Sequence, residues 1–208
     1  MSCNCQIYGK FTENQIFHIA LKAKKIFLIF GIMEHIKSPR FIVLTLLVIA
    51  AALTRVLPYL IPHIWNFTAV GALAIFAGAQ FNDRRLAFIM PLAAMAISDL
   101  FIGNGFSLLV YTGFIAMVAC GFLIRNKINL TNVVLTSFIS ASVFYLITNF
   151  SFFYSVSLYP RNLSGILASY TAGLPFFRNM LIGNLVFSAV LFGSFYLLSK
   201  RYPALVKA

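Results

Sequence analysis

Acidic residues are nearly missing from this chain. Four Asp and Glu stand against sixteen Lys and Arg in 208 residues, and the four are Glu13, Glu34, Asp83 and Asp99. Only Asp99 falls inside a long apolar run, so a carboxylate pair for general acid–base work has no source there. Charged residues make up 10% of the chain and hydrophobic ones 61%. A soluble domain of this length could not hide that much apolar surface. Catalytic motifs are missing as well. There is no H-E-x-x-H, no G-x-S-x-G and no Walker A lysine, and His18, His35 and His63 all lie outside the apolar runs. The chain is therefore read as a non-enzyme, with no catalytic residue, cofactor or metal expected. Cysteine is sparse: Cys3 and Cys5 stand in Met-Ser-Cys-Asn-Cys, and Cys120 sits in an apolar run. A single C-x-C without a second pair is a weak metal signal, so three reduced thiols with no shared role and no disulfide are expected.

What is present is apolar sequence in six long runs, roughly 41–61, 67–81, 86–102, 106–124, 130–153 and 178–198. A hydrocarbon core of about 30 Å takes about 20 mostly apolar residues as helix. In lipid only helices and closed barrels satisfy the backbone, and these runs are continuous rather than alternating. The expected fold is all-α: a polytopic membrane protein with six transmembrane helices. The second and third runs are short for a full span, which implies that they are untilted or partly buried among neighbours. The expected organisation is a cytoplasmic leader at 1–40, a six-helix transmembrane domain at 41–200 and a cytoplasmic tail at 201–208. In the leader, Ile16, Phe17, Ile19, Ile26 and Phe27 alternate with Lys22, Lys24 and Lys25. That pattern suits a basic amphipathic helix on an anionic leaflet, and a disordered leader is the other reading. Met33 is an alternative start, which would leave 1–32 outside the natural protein.

The excess positive charge is distributed by side. Lys10, Lys22, Lys24, Lys25, Lys37 and Arg40 precede the first run, Arg84 and Arg85 lie between the second and third, Arg125 and Lys127 between the fourth and fifth, and Lys200, Arg201 and Lys207 in the tail. In a six-span threading these thirteen of the sixteen share one side, leaving Arg55, Arg161 and Arg178 for the other. Basic residues accumulate in cytoplasmic loops, so both termini are expected to be cytoplasmic. A nucleic-acid binder would gather its basic residues on one folded face with interleaved aromatics, so no nucleic-acid partner is expected.

Charged side chains inside a span are costly and mark candidate sites. Arg55 and Asp99 lie at similar depth in the outer parts of the first and third runs, and an ion pair between them is expected; it would either tie two helices together or face a ligand. Arg178 and Asn179 are expected to open the sixth span at the same level. The first outer loop carries Tyr59, His63, Trp65 and Asn66, and the fifth carries Tyr154, Tyr159, Arg161, Asn162 and Tyr170. Such aromatics are ordinarily interfacial belt residues. Their concentration near the charges also suits the mouth of a pocket. Leu163 to Leu174 reads as a short interfacial helix that could act as a lid, followed by Pro175 in the first turn of the sixth span. Ala50 with Thr54, Ala74 with Gly78 and Ala94 with Ser98 give small-xxx-small spacing, which lets helices approach closely.

Arg-Val-Leu-Pro at 55–58, Asn-Phe-Thr-Ala-Val-Gly-Ala-Leu-Ala-Ile-Phe at 66–76, Pro-Leu-Ala-Ala-Met-Ala-Ile-Ser-Asp-Leu at 91–100 and the stretch from Tyr159 to Asn179 together carry a resemblance. Over about 41–200 the chain resembles an uncharacterised family of small six-span bacterial membrane proteins. More distantly it is similar to the substrate-binding S components of energy-coupling-factor vitamin transporters. That resemblance implies an S-component-like bundle in the bacterial cell inner membrane. It implies capture of a vitamin-like solute from the outer side, and a transmembrane coupling protein with ATPases as partner. The Ala-xxx-Ala docking signature of S components has its nearest match here in Ala50 with Thr54, which departs from it. The combined expectation is a small-molecule site formed by Arg55, Tyr59, Trp65, Asn66, Asp99, Tyr111, Arg178 and Asn179. Arg55 and Arg178 would favour an anionic group, and the aromatics would pack on its apolar part. The alternative is a structural or assembly membrane protein with no ligand.

Overall fold

Side-chain caps and apolar length together decide where the helices run. The computed structural model describes residues 38–56, 66–103, 105–154 and 158–206. Most of the leader, and with it Tyr59 and Trp65 of the first outer loop, lies outside the described residues. Among the described residues there is no strand, and six α-helices follow one another: α1 (Pro39–Leu53), α2 (Val70–Gln80), α3 (Arg84–Ile102), α4 (Leu108–Leu123), α5 (Leu130–Thr148) and α6 (Leu163–Arg201). Short 3-10 turns occupy Thr54–Val56, Ser151–Phe153 and Pro203–Leu205. The helices α3, α5 and α6 are long and apolar enough to cross a membrane, while α1, α2 and α4 are shorter apolar helices. The chain divides into two compact units, residues 1–42 and 43–208. Of the first, the opening of α1 is described; there the Phe41 N–H donates to Ser38 Oγ at 3.1 Å. Everything that follows concerns the second unit.

Asp83, Asn129 and Asn162 start α3, α5 and α6. Their side-chain oxygens accept from the N–H groups of Arg85 (2.8 Å), Asn132 (2.7 Å) and Gly165 (2.9 Å). Each bond satisfies one of the donors that a helix start leaves without an intrahelical partner. At α6 this cap overturns the expectation of a separate lid. Residues 163–174 are not a short interfacial helix followed by a new span; they are the first turns of one helix of 39 residues. Pro175 lies inside that helix and not in its opening turn. A proline ring removes one backbone donor, but a helix packed against neighbours tolerates that loss. At 1.5 Å per residue α6 is about 58 Å long, roughly twice the thickness of a hydrocarbon core.

The short second run resolves as a buried helix. All eleven residues of α2 are buried. The helix is apolar all round, which suits a position inside a protein rather than against lipid, and it packs on α3, α4, α5 and α6. Glycine and alanine admit those neighbours closely. A Cβ on Gly78 would stand 2.2 Å from the Val118 carbonyl oxygen, and one on Gly121 would stand 2.3 Å from that of Ile75. On the opposite side the Phe76 ring meets Phe192 and Phe195 edge-on at 5.1 and 5.8 Å. Gly121→Val should therefore force α2 and α4 apart and cost about 1–3 kcal/mol. The check is the thermal midpoint of the purified protein, beside Gly193→Val, whose Cβ would meet nothing within 4 Å.

Candidate functional site

Asp99 faces inward because of helical spacing. Ala87, Pro91, Met95 and Asp99 recur every four residues and form the buried face of α3, while Ile89, Ile97, Leu100 and Phe101 are exposed. Arg55 reaches that face from the 3-10 turn after α1. Its Nη2 donates to Asp99 Oδ1 at 2.5 Å, and its Nη1 donates to the Met95 carbonyl at 2.9 Å and to Ser98 Oγ at 2.7 Å. Tyr111, on α4, donates its hydroxyl to Asp99 Oδ2 at 2.9 Å. The expected pair thus forms, with side chains 15% and 11% exposed, inside a network that joins the end of α1 to α3 and α4. Each charge is matched at several atoms, which is what a pair withdrawn from water requires. Thr54 ties the same turn to the next segment, accepting the Ala69 N–H at 2.8 Å while donating to the Ala51 carbonyl.

Beside Arg55 opens a cavity of about 490 Å³, in the range of small-molecule sites. Arg55, Asn66 and Thr68 line one side of it, with Val70 and Gly71 from the start of α2. Phe144, Tyr145, Thr148 and Asn149 come from α5, and Ser169, Gly173, Phe176, Phe177 and Met180 from α6. Aromatic rings dominate: Tyr145 packs on Tyr170 and Phe177 at 5.4 and 5.0 Å, and Phe114 on Phe144 at 5.0 Å. The tyrosines are held by their hydroxyls. Tyr145 donates to the Tyr170 carbonyl, Tyr170 to Leu146 and Tyr154 to Thr148. Burial, with Tyr159 beside it, pushes the Tyr154 phenol above the ordinary tyrosine range. Asn66 holds a left-handed conformation at φ +63°, which asparagine adopts more readily than most residues.

The residues singled out from sequence are distributed unevenly around this site. Arg55 and Asn66 line the cavity; Asp99 and Tyr111 do not line it but hold Arg55 from behind. Arg178 and Asn179 do not line it either, and Arg178 is exposed. Arg178 does not open a helix. It lies sixteen residues into α6, where the backbone N–H groups are already used, so the helix-start anion seat expected there does not exist. Tyr154 and Tyr159, expected at the mouth of a pocket, line the cavity, whereas the α5 residues and the later α6 residues that complete its wall are not among the expected ones. Their one sequence signal is spacing: Ser169, Gly173 and Phe177 recur every four residues, as do Tyr145 and Asn149.

These features define a class: an all-helical protein with helices able to cross a membrane, packed around an aromatic-lined cavity. Residues 35–205 match the family described as Family of unknown function (DUF6580), and the chain belongs to that family. This agrees with the resemblance to an uncharacterised family. No curated protein and no solved structure matches the chain.

Proposed function

We propose that this protein is a multi-pass inner-membrane protein of six spans, with both termini in the cytoplasm. It captures a small solute from the outer side, in the manner of an S component. The cavity carries the reading: a roughly 490 Å³ space walled by aromatics, with one guanidinium set at its side by Asp99, Ser98 and Met95. Apolar walls with a few placed polar groups are the usual character of small-molecule sites. The orientation draws support from the opposite end of the bundle. There Arg125 donates to the Asn82 carbonyl at 2.7 Å, so the two basic loops at 82–85 and 125–129 meet on one side. Delivery of the solute would fall to a transmembrane coupling protein with ATPases. Because Asp99 offsets Arg55, the pair alone gives no net attraction for an anion.

The alternative, a structural or assembly protein without a ligand, is favoured by one observation. The Arg55–Asp99–Tyr111 network joins three segments whether or not anything binds. Native mass spectrometry of the detergent-purified protein separates the two readings. Capture predicts a co-purified small molecule that is lost in Gly173→Phe, because even a Cβ on Gly173 would stand 2.3 Å from Asn149 Oδ1. If no molecule co-purifies, and a panel of metabolites leaves the thermal midpoint unmoved, the structural reading replaces capture.

A further inference from the structure

Among the described residues that line the cavity there is no carboxylate. Helix α2 begins there: Val70 and Gly71, its first two residues, line the cavity. The first backbone acceptance recorded at this end is Leu73 N–H to the Ala69 carbonyl, and Ala69 N–H goes to Thr54. The N–H groups of Val70, Gly71 and Ala72 therefore have no partner among the described residues. A second and independent feature stands beside them. Asn184, on α6, is 0% exposed, and neither its Oδ1 nor its Nδ2 has a hydrogen-bond partner among the described residues. Its carboxamide is aimed at the helix start, since a Cβ on Gly71 would stand 2.1 Å from Oδ1 and 2.8 Å from the Met117 methyl. Glycine at this position is what lets the amide reach the first turn. The two ends of an amide exchange by a simple flip, and methionine yields readily to a neighbour.

We propose that the first turn of α2, with the Asn184 carboxamide packed against Gly71, forms a carboxylate seat where Val70 and Gly71 line the cavity. This rests on the capture reading and names the chemistry of what is captured: a monocarboxylate with an apolar, ring-sized body. Three considerations select that class. Arg55 and Asp99 cancel, and Asp99 also holds Tyr111, so no carboxylate is left to attract a cation. The start of a helix carries about half a positive charge, and here that start borders the cavity at Val70 and Gly71. Two Arg55 hydrogens, on Nε and Nη2, are not used by Asp99, Ser98 or Met95 and add to the donors at the wall. A buried amide with no partner destabilises the protein that carries it. A ligand carboxylate at the helix start would give that amide the partner it lacks among the described residues.

The test uses the full chain in lipid nanodiscs, with equilibrium dialysis of benzoate, phenylacetate and 3-phenylpropanoate. Each is paired with its uncharged carboxamide and corrected with protein-free discs. The best carboxylate should bind the wild type about tenfold or more tighter than its carboxamide, the scale of a few charge-assisted hydrogen bonds. Asn184→Leu should weaken the carboxylate about tenfold and leave the carboxamide within about twofold. Its thermal midpoint should hold or rise by about 2–4 °C, because a hydrocarbon replaces an unpartnered amide. Equal binding of carboxylate and carboxamide to the wild type overturns the seat and leaves capture standing. The seat is also overturned if Asn184→Leu and Asn184→Ala melt lower or fail to fold while any folded fraction keeps the carboxylate preference. Absence of binding by either class to the wild type also overturns the seat, and capture then stands or falls with the co-purified molecule sought by native mass spectrometry.

Discussion

Asp99→Asn and Arg55→Gln, made singly, should each lower the yield of folded protein more than the two changes made together. Each single change leaves one charge in a site where the side chains are only 15% and 11% exposed. Breaking a buried pair from one side costs about 3–5 kcal/mol, whereas removing both partners spares the stranded charge. The surroundings sharpen the asymmetry. Without Asp99, Arg55 keeps the Met95 carbonyl and Ser98 Oγ, both neutral. Without Arg55, Asp99 keeps only the Tyr111 hydroxyl, so Arg55→Gln should be the more damaging. Tyr111→Phe removes that last donor and should worsen Arg55→Gln more than it worsens the wild type. Thermal midpoints of the four proteins in a double-mutant cycle measure the coupling, expected at about 3 kcal/mol or more because the double change should cost less than either single one. Additive losses would show that the two charges act independently and that the network does not hold the cavity wall.

The second large effect is all-or-none. In a chain carrying Cys3→Ser, Cys5→Ser and Cys120→Ser, an impermeant maleimide should label Ser164→Cys in cells whose inner membrane faces the medium. It should leave Asn126→Cys untouched until the membrane is opened. Both positions are exposed, so side and not burial decides the outcome. Position 164 stands in the first turn of α6. Position 126 follows Arg125, which joins the two basic loops. The proposed orientation rests on the tendency of Lys and Arg to accumulate in cytoplasmic loops. Labelling at 126 in unopened cells would invert it, and would also put the cavity on the wrong side for capture from outside.

The helices were legible because their cause is local. Each of the six apolar runs overlaps a helix, since length and continuous hydropathy act within a run. The ends were less legible. The first run reads to residue 61, yet α1 ends at Leu53 and a 3-10 turn follows, because the turn that carries Arg55 to α3 departs from the helix axis. Pro175 suits a helix start and a tolerated interior equally well in sequence. Only the Asn162 cap, thirteen residues earlier, shows that the helix had already begun.

By itself, then, the sequence determined an all-helical protein with membrane-compatible helices, and it determined the Arg55–Asp99 pair, because a charge in an apolar run must find its opposite at the same depth. Tertiary structure alone decided the cavity. Tyr145 is an ordinary member of an apolar run and Phe177 stands just before another, 32 positions on, and the two meet at 5.0 Å only because α5 and α6 pack side by side. The helix start that matters belongs to α2 and not to the segment at Arg178, and Asn184 comes to Gly71 across 113 residues of chain. Periodicity tells which face of a helix is apolar. Which faces converge, and which polar groups they leave without partners, depends on how α3, α4, α5 and α6 pack on the buried α2.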